Sequence, residues 1–241
     1  MRKVFEIGGV VAAAVLIAFG IAAIVMGMDG QSTVNSSLEQ QQIYGTPDMS
    51  PKGIAAEVKQ AQTAQAALFA KLNAAGVKLT PSAITAPGCT VANQFVDNGD
   101  KARCFARYMW IHTNLATGGE TYSQMGRFQA KPGAPVKYTD GQGGTNDQSY
   151  AVIDPTTKQP VDNGRRDLWV TYTALTTALN SSYMAAQISL FGIVVGVALL
   201  LAGLGFGVLA IGGALRAPDT ALGFLRKWAR KEGHAPAVPA A

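Results

Sequence analysis

Two long apolar stretches, one near each end of the chain, most constrain the fold. The first is GGVVAAAVLIAFGIAAIVMGM at residues 8–28, and it contains no charged residue. A helix of this length, at about 1.5 Å per residue, spans the roughly 30 Å hydrocarbon core of a bilayer. The second lies within residues 168–215, which also contain no charge. Both predict transmembrane helices, because two segments cannot close a β-barrel.

A secretory signal peptide is the alternative interpretation of the first stretch, since Arg2 and Lys3 precede it. The apolar core of a signal peptide runs about 7–15 residues and is followed by a small-residue cleavage site. This stretch is longer and ends in Met26, Gly27 and Met28. We therefore expect a membrane span.

Basic residues beside the two spans predict the orientation. Arg2 and Lys3 precede the first span, and a basic tail follows the second. Both termini are therefore expected on the cytoplasmic side of a plasma (inner) membrane, in a multi-pass protein. The predicted segments are a cytoplasmic N-terminus at 1–7, spans at 8–28 and 184–215, an extracytoplasmic domain at 29–183, and a cytoplasmic tail at 216–241.

The net charge of +5 lies mostly in the two predicted cytoplasmic ends. The basic composition thus reflects topology, and we expect membrane lipids and no nucleic acid as partners. The centre of the tail is amphipathic, with basic residues on one side of a helix. This pattern suits an anionic membrane surface, and a short solvated tail is the alternative.

The two cysteines, Cys89 and Cys104, both fall in the segment predicted to lie outside the membrane. Disulfides persist in such an oxidising compartment. Closing a loop of about 15 residues stabilises a fold by roughly 3 kcal/mol in the chain-entropy model. The sequence therefore predicts a Cys89–Cys104 disulfide, and two reduced, buried thiols are the alternative.

The central segment reads as mainly helical. The predicted helices cover 54–76 after a Ser50-Pro51 start, 101–117 after an Asp100 cap, and 165–187 running without a break into the second span. The first has an apolar face at three- and four-residue steps, formed by Ile54, Val58, Ala61, Ala64, Leu68 and Leu72. Between them, PVKYT and SYAVI predict a small hairpin or an ordered loop. The predicted fold class is a mainly α membrane protein, a two-helix transmembrane hairpin with an α-rich extracytoplasmic domain.

His112 is the only histidine expected outside the membrane, since His234 lies in the tail. A metal site needs several ligands, and a catalytic histidine needs a nucleophile or a carboxylate partner. The sequence has no His-Glu-x-x-His or Gly-x-Ser-x-Gly pattern. We expect a capping, hydrogen-bonding or packing role for His112 near a helix end. Catalysis or metal binding is the less favoured alternative, and no cofactor is expected.

Small residues recur within the two spans. Gly192 and Gly196, and then Gly203 and Gly207, are each four residues apart in the second span, and Ala14, Ala18 and Ala22 repeat that step in the first. Small residues let helix backbones approach closely in lipid. The spans can therefore pack on each other, on a second copy or on a partner. Neither span has an internal ionisable residue, which argues against a pump or channel formed by this chain alone.

Three blocks resemble a family of small actinobacterial two-span membrane proteins of unknown function. They are STVNSSLEQQQIYGTPDMSP after the first span, HTNLATGGETY at 112–122, and RRDLWVTYTALTTALNSSYM before the second span. The resemblance implies an actinobacterial plasma-membrane protein with an extracytoplasmic domain. Members of this family are often labelled aromatic ring-opening dioxygenases. Non-haem iron oxygenases use two histidines and a carboxylate, and His112 and His234 are expected on opposite sides of the membrane.

Three functional hypotheses follow. The favoured one is a non-catalytic protein of the bacterial cell envelope that associates with itself or with another membrane protein. A second is an extracytoplasmic module that binds a lipid or a small ligand, as a sensor or carrier. The third is a cell-envelope enzyme in which His112 acts with a carboxylate such as Asp97, Asp100 or Glu120.

Overall fold

The computed structural model describes residues 2–74, 76, 81 and 83–212, without the side chains of residues 2–6. The tail at 216–241, with its predicted amphipathic helix and His234, lies outside the described residues. Four α-helices and two short strands appear in chain order: α1 (Arg2–Gln40), α2 (Ala55–Ala74), α3 (Gly99–Ala116), β1 (Phe128–Gln129), β2 (Gly144–Thr145) and α4 (Gly164–Ile211). The protein is mainly helical, as predicted.

The chain divides into two compact units, and the division falls within both α1 and α4. The apolar unit comprises residues 1–30 and 188–241, and the central unit comprises residues 31–187. Each long helix contains a strongly apolar window, with mean hydropathy 2.7 in α1 and 2.6 in α4. Both helices are therefore long and apolar enough to cross a membrane. The predicted continuation of the helix at 165–187 into the second stretch is confirmed, because α4 is one helix of 48 residues.

Within the apolar unit, α1 and α4 meet along small residues that recur every seven positions. The buried positions seven residues apart are Ala13, Gly20 and Gly27 on α1 and Gly196, Gly203 and Ala210 on α4, and Gly9 of α1 is also buried. A Cβ atom built on Gly196 would lie 2.7 Å from the carbonyl oxygen of Gly20, too close for any side chain. The two backbones are therefore in direct contact, as small residues permit.

The predicted packing residues divide into two groups. We call the contact of Ala13, Gly20 and Gly27 with Gly196, Gly203 and Ala210 the glycine seam. Gly196 and Gly203 lie in it, and Gly192 and Gly207 lie beside it, where an added Cβ would make ordinary contacts at 3.7 Å. Ala14, Ala18 and Ala22, which the sequence also predicts as small packing residues, do not face α4, because all three are exposed. Each follows or precedes a seam position by one or two residues, and one residue turns a helix by about 100°.

The core of the central unit is built from one face of α2, most of α3 and part of α4. The predicted face of α2 is confirmed at Ile54, Val58, Ala61 and Leu68, which are buried. Other members of this core are Ala102, Phe105, Tyr108 and Ile111 of α3 and Leu179 of α4. The helix itself begins at Ala55. Residues 51–54 form a turn in which the Ser50 hydroxyl accepts the Gly53 N–H at 3.0 Å.

The ends of α3 show which residues stop a helix here. Asn98, not the predicted Asp100, is the N-cap, and its side-chain oxygen accepts the Lys101 N–H at 3.0 Å. Asp100 lies in the first turn instead. The helix ends at Ala116, and Gly118 and Gly119 follow with φ of +66° and +86°. A residue with a Cβ adopts such angles only with strain.

The segment between α3 and α4 is largely irregular. The two predicted runs do not pair as a hairpin: Val136–Tyr138 and Gln148–Tyr150 each form a short 3-10 helix, although Ala151 and Ile153 of the second run form isolated antiparallel bridges. Pro135 precedes the first, and the Asp147 carboxylate caps the second by accepting the Ser149 N–H at 2.9 Å. The antiparallel pair is instead β1 with β2, where Phe128 is opposite Thr145. Local turn chemistry thus outweighs the β-propensity of these side chains.

Candidate functional site

His112 lies one turn before the end of α3 and contacts two carboxylates. Its Nδ1 is 2.9 Å from Oε2 of Glu57, in hydrogen-bond geometry, and its Nε2 is 3.2 Å from Oδ2 of Asp48. About a quarter to a third of each side chain is exposed, 27% for His112 and 31% for each carboxylate. The three side chains form the Asp48–Glu57–His112 cluster, which solvent can reach.

Asp48 is positioned by the pairing of two irregular segments, residues 43–49 and 91–96. The backbone bonds that join them are Gly45 N to Gln94 O, Asn93 N to Gly45 O, Val91 N to Met49 O and Val96 N to Ile43 O. Gly45 permits this pairing, because a Cβ there would overlap the Val91 carbonyl group. The paired segments place Asp48 in the turn just before α2.

Glu57 lies in the first turn of α2, where the positive end of the helix dipole favours a carboxylate. The contact of Glu57 with His112 relates the start of α2 to the end of α3. The ligand atoms of Asp48, Glu57 and His112 all lie within 4.8 Å of one another, close enough to hold a metal ion. One histidine with two carboxylates differs from the two-His, one-carboxylate set of non-haem iron oxygenases.

Two nitrogen-to-carboxylate contacts at His112 are not equivalent. Nδ1 has an aligned hydrogen bond to Glu57, whereas Nε2 is shielded from solvent and has no aligned hydrogen-bond partner among the described residues. The contact of Nε2 with Asp48 is therefore one of proximity only. A hydrogen-bonding role near the helix end, as predicted for His112, is present.

The carboxylates expected to act with His112 are the wrong ones. Asp97 pairs with Lys101 at 2.9 Å, and Asp100 is exposed in the first turn of α3. Glu120 is buried and pairs with Arg165. Nothing in the local spacing of Asp48 or Glu57 relates them to His112, since the contact to Glu57 crosses 55 residues of chain.

A second polar cluster joins the loop after α3 to the start of α4. Arg165 contacts both Glu120 and Asp140, the latter at 2.9 Å through Nη2. Asp140 also accepts backbone N–H groups from Gly126 at 2.9 Å and from Gly144 at 2.8 Å. Only 1% of the Glu120 side chain and 2% of the Asp140 side chain are exposed. This cluster fastens the irregular segment to the helices.

Burial and the neighbouring charge of Asp140 raise the pKa of Glu120 to about 7, against the smaller opposing effect of Arg165. Oε1 of Glu120 is buried without a hydrogen-bond partner among the described residues. Two buried carboxylates on one guanidinium leave a net negative charge, which protonation of Glu120 removes. No local pattern in the sequence predicts this cluster, because Glu120, Asp140 and Arg165 are 20 or more residues apart in the chain.

Four clefts are found among the described residues of the central unit, with volumes of about 470, 420, 340 and 270 Å³. The cleft of about 470 Å³ lies over the irregular segment, and its lining includes Gln124, Tyr138 and Asn146. His112 lines none of the four. The Asp48–Glu57–His112 cluster is therefore separate from the cleft over the irregular segment.

The predicted disulfide between Cys89 and Cys104 is present, and it fastens the segment before α3 to that helix. Tyr108, one turn further along α3, is fully buried, and its hydroxyl donates to the Cys89 carbonyl oxygen at 2.5 Å. Burial raises the pKa of Tyr108, outweighing the opposing charge of Arg107. The disulfide thus belongs to the core of the central unit.

No family model, curated protein or solved structure matches the chain. The resemblance to the actinobacterial two-span family stays a prediction.

Proposed function

We propose that the protein is a non-catalytic, two-span protein of a bacterial plasma membrane that associates with itself or with another membrane protein. In this proposal α1 and α4 form a transmembrane hairpin, both termini are cytoplasmic, and the central unit is extracytoplasmic. The proposal keeps the actinobacterial envelope that the sequence resemblance implies.

The supporting observation is how the two apolar helices use their surfaces. Their small faces pack on each other, and only 17% of each apolar window is buried. The core helix of a soluble protein would be mostly buried. The outward residues are large and apolar, such as Phe19 at 66%, Phe191 at 67% and Val208 at 70% exposure. Such a surface is suited to lipid, and it offers no polar path for transport.

The association face proposed here is the exposed stripe of Ala14, Ala18 and Ala22 on α1. The glycine seam is already filled by the second helix of the same chain, so it is not free for a partner. The alanine stripe is free, and its four-residue step suits close packing of another helix in lipid. We propose that a second copy or another membrane helix packs there.

The first test is the mass of the full chain in nanodiscs prepared from native membranes. A stoichiometric complex, heavier than the 25.1 kDa chain, supports the proposal. Ala18→Leu should disrupt the complex without unfolding the hairpin, because Ala18 is exposed. Gly205→Leu is the matched control, since a Cβ there meets nothing within 4 Å. A monomer from the unaltered chain, or equal effects of both substitutions, would contradict the proposed face.

A small-ligand binding module is the second candidate, and the cleft of about 470 Å³ favours it. That volume is within the usual range for small-molecule sites. Its lining presents both polar and apolar surface. Mass spectrometry of the purified chain distinguishes this candidate: a lone protein that retains a small polar molecule would support it over association.

An envelope enzyme is less well supported. Its condition of a carboxylate within hydrogen-bond reach of His112 is met by Glu57. Its condition of an open cleft is not met by the four clefts described above, because His112 lines none of them.

A further inference from the structure

We propose that His112 and Asp48 bind a Zn²⁺ ion, with Glu57 orienting the imidazole. This site lies in the central unit and goes beyond the proposed association, on which it does not depend. The three side chains come from three different parts of the chain: the turn before α2, the first turn of α2 and the last part of α3.

The tautomer of His112 is the first step of the argument. A neutral imidazole has one N–H and one lone pair. The aligned bond from Nδ1 to Glu57 places the N–H on Nδ1, so the lone pair is on Nε2. That lone pair lies 3.2 Å from a carboxylate oxygen of Asp48. Two electron-rich atoms at this distance repel each other unless a cation lies between them.

Glu57 has the part that carboxylates commonly play beside metal-bound histidines. Such a carboxylate accepts the N–H of one ring nitrogen, fixes the tautomer, and makes the other nitrogen a better ligand. Glu57 does this at Nδ1 with a separation of 2.9 Å. The other nitrogen, Nε2, is buried and lies 3.2 Å from Oδ2 of Asp48.

The distance between Nε2 and Asp48 also fits a shared ion. Zinc binds imidazole nitrogen and carboxylate oxygen at about 2.0–2.1 Å, so two ligands of a tetrahedral ion lie roughly 3.3 Å apart. The observed separation is 3.2 Å. In such a site the second ligand lies off the axis of the nitrogen lone pair. This agrees with the absence of an aligned hydrogen bond at Nε2 among the described residues.

The ligand types select the metal. An imidazole nitrogen with carboxylate oxygens suits Zn²⁺, whereas Mg²⁺ and Ca²⁺ prefer oxygen ligands alone. Two carboxylates and a neutral histidine also give the cluster a negative charge that a divalent ion offsets. With two ligands from the chain, His112 and Asp48, water completes the coordination, and the partial exposure of the side chains admits it.

A protonated His112 that bridges the two carboxylates is the competing explanation. An imidazolium would donate from both nitrogens and would need no ion. The two explanations differ in what the protein binds: the imidazolium excludes Zn²⁺ from Nε2, whereas the neutral tautomer takes it up.

The test is Zn²⁺ binding by the full chain in nanodiscs at pH 7.5, purified with a tag that contains no histidine. His234→Ala serves as the background, because the other histidine lies in the tail. We expect one Zn²⁺ per chain by calorimetry and by elemental analysis, and Ca²⁺ should not compete at equal concentration. His112→Gln should abolish binding, Asp48→Asn should weaken it more than tenfold, and Glu57→Gln should weaken it about 10- to 100-fold.

Asp97→Asn is the matched control, because Asp97 pairs with Lys101 and not with His112. It should leave Zn²⁺ binding unchanged. If His112→Gln fails to fold, Asp48→Asn alone decides, since it keeps the shape of the side chain. Absence of Zn²⁺ uptake by the folded His234→Ala protein, or equal affinity in Asp48→Asn and Asp97→Asn, would overturn the proposal.

Discussion

The glycine seam between α1 and α4 makes a quantitative prediction about a single methyl group. Gly196→Ala adds a Cβ that would lie 2.7 Å from the Gly20 carbonyl oxygen and 2.9 Å from the Ile24 backbone nitrogen. Gly205→Ala adds the same Cβ on the same helix, where nothing lies within 4 Å. The two substitutions raise helix propensity equally, by about 1 kcal/mol. The difference between them therefore isolates the seam contact.

The size of that difference follows from the geometry. Ordinary contacts of a Cβ begin at 3.4 Å, so the two backbones must separate by several tenths of an ångström at Gly196. Overpacking of this kind typically costs about 1–3 kcal/mol. The equilibrium between packed and separated helices should then change roughly 5- to 150-fold.

An engineered disulfide across the seam measures this equilibrium. A Cβ on Gly207 would lie 3.7 Å from the Ala13 Cβ, which is within the usual range of about 3.5–4.5 Å for a disulfide. Ala13→Cys with Gly207→Cys should therefore form a bond in nanodiscs. Its redox equilibrium against glutathione is measured by mass spectrometry of the peptides, which separates it from the natural disulfide.

We expect Gly196→Ala to shift the engineered bond towards the reduced form relative to Gly205→Ala. Moving the first cysteine to the exposed face, with Ala14→Cys in place of Ala13→Cys, should slow bond formation. Equal redox equilibria for the two glycine variants would refute the close approach of the backbones. So would equally fast bond formation from the two faces of α1.

Three further predictions concern the central unit. The pKa of Glu120 is raised from 4.5 to about 7 in the folded state. The free energy of unfolding should therefore fall as pH rises between about 4.5 and 7. Glu120→Gln should flatten that dependence in denaturant titrations. Replacing Cys89 and Cys104 with serine should destabilise the protein by about 3 kcal/mol, seen as a lower melting temperature, and an unchanged value would contradict a structural role. Asn98→Ala should cost about 1 kcal/mol by loss of the N-cap, whereas Asp100→Ala should cost less.

The sequence predicted those features that rest on long or local patterns. The apolar stretches, the α2 face and the disulfide were all readable, because periodicity, composition and compartment each act over a whole segment. The glycine seam was only partly readable. Small residues four apart suggested the packing face, whereas the buried positions are seven residues apart. The pattern of one helix alone does not distinguish the seven-residue step from the other spacings of small residues.

The candidate site was not readable, and the reason is distance along the chain. Asp48 is brought to His112 by the pairing of 43–49 with 91–96, and Glu57 by the packing of α2 on α3. Neither contact has a local spacing. The predicted hairpin between α3 and α4 was wrong for a different reason. Pro135 and Asp147 start turns that compete with strand formation.

The glycine seam also has a consequence for how the protein is made. In the proposed topology the first span leaves the ribosome roughly 180 residues before its partner, which takes about 10–35 s at 5–20 residues per second. During that interval Gly20 and Gly27 face lipid or the insertion machinery, without the helix that will cover them. Newly made chains can pair with each other through the open face at this stage. Such premature pairing ends when α4 is made, because α4 then covers Gly20 and Gly27. The packing of the first span therefore depends on the synthesis of the second.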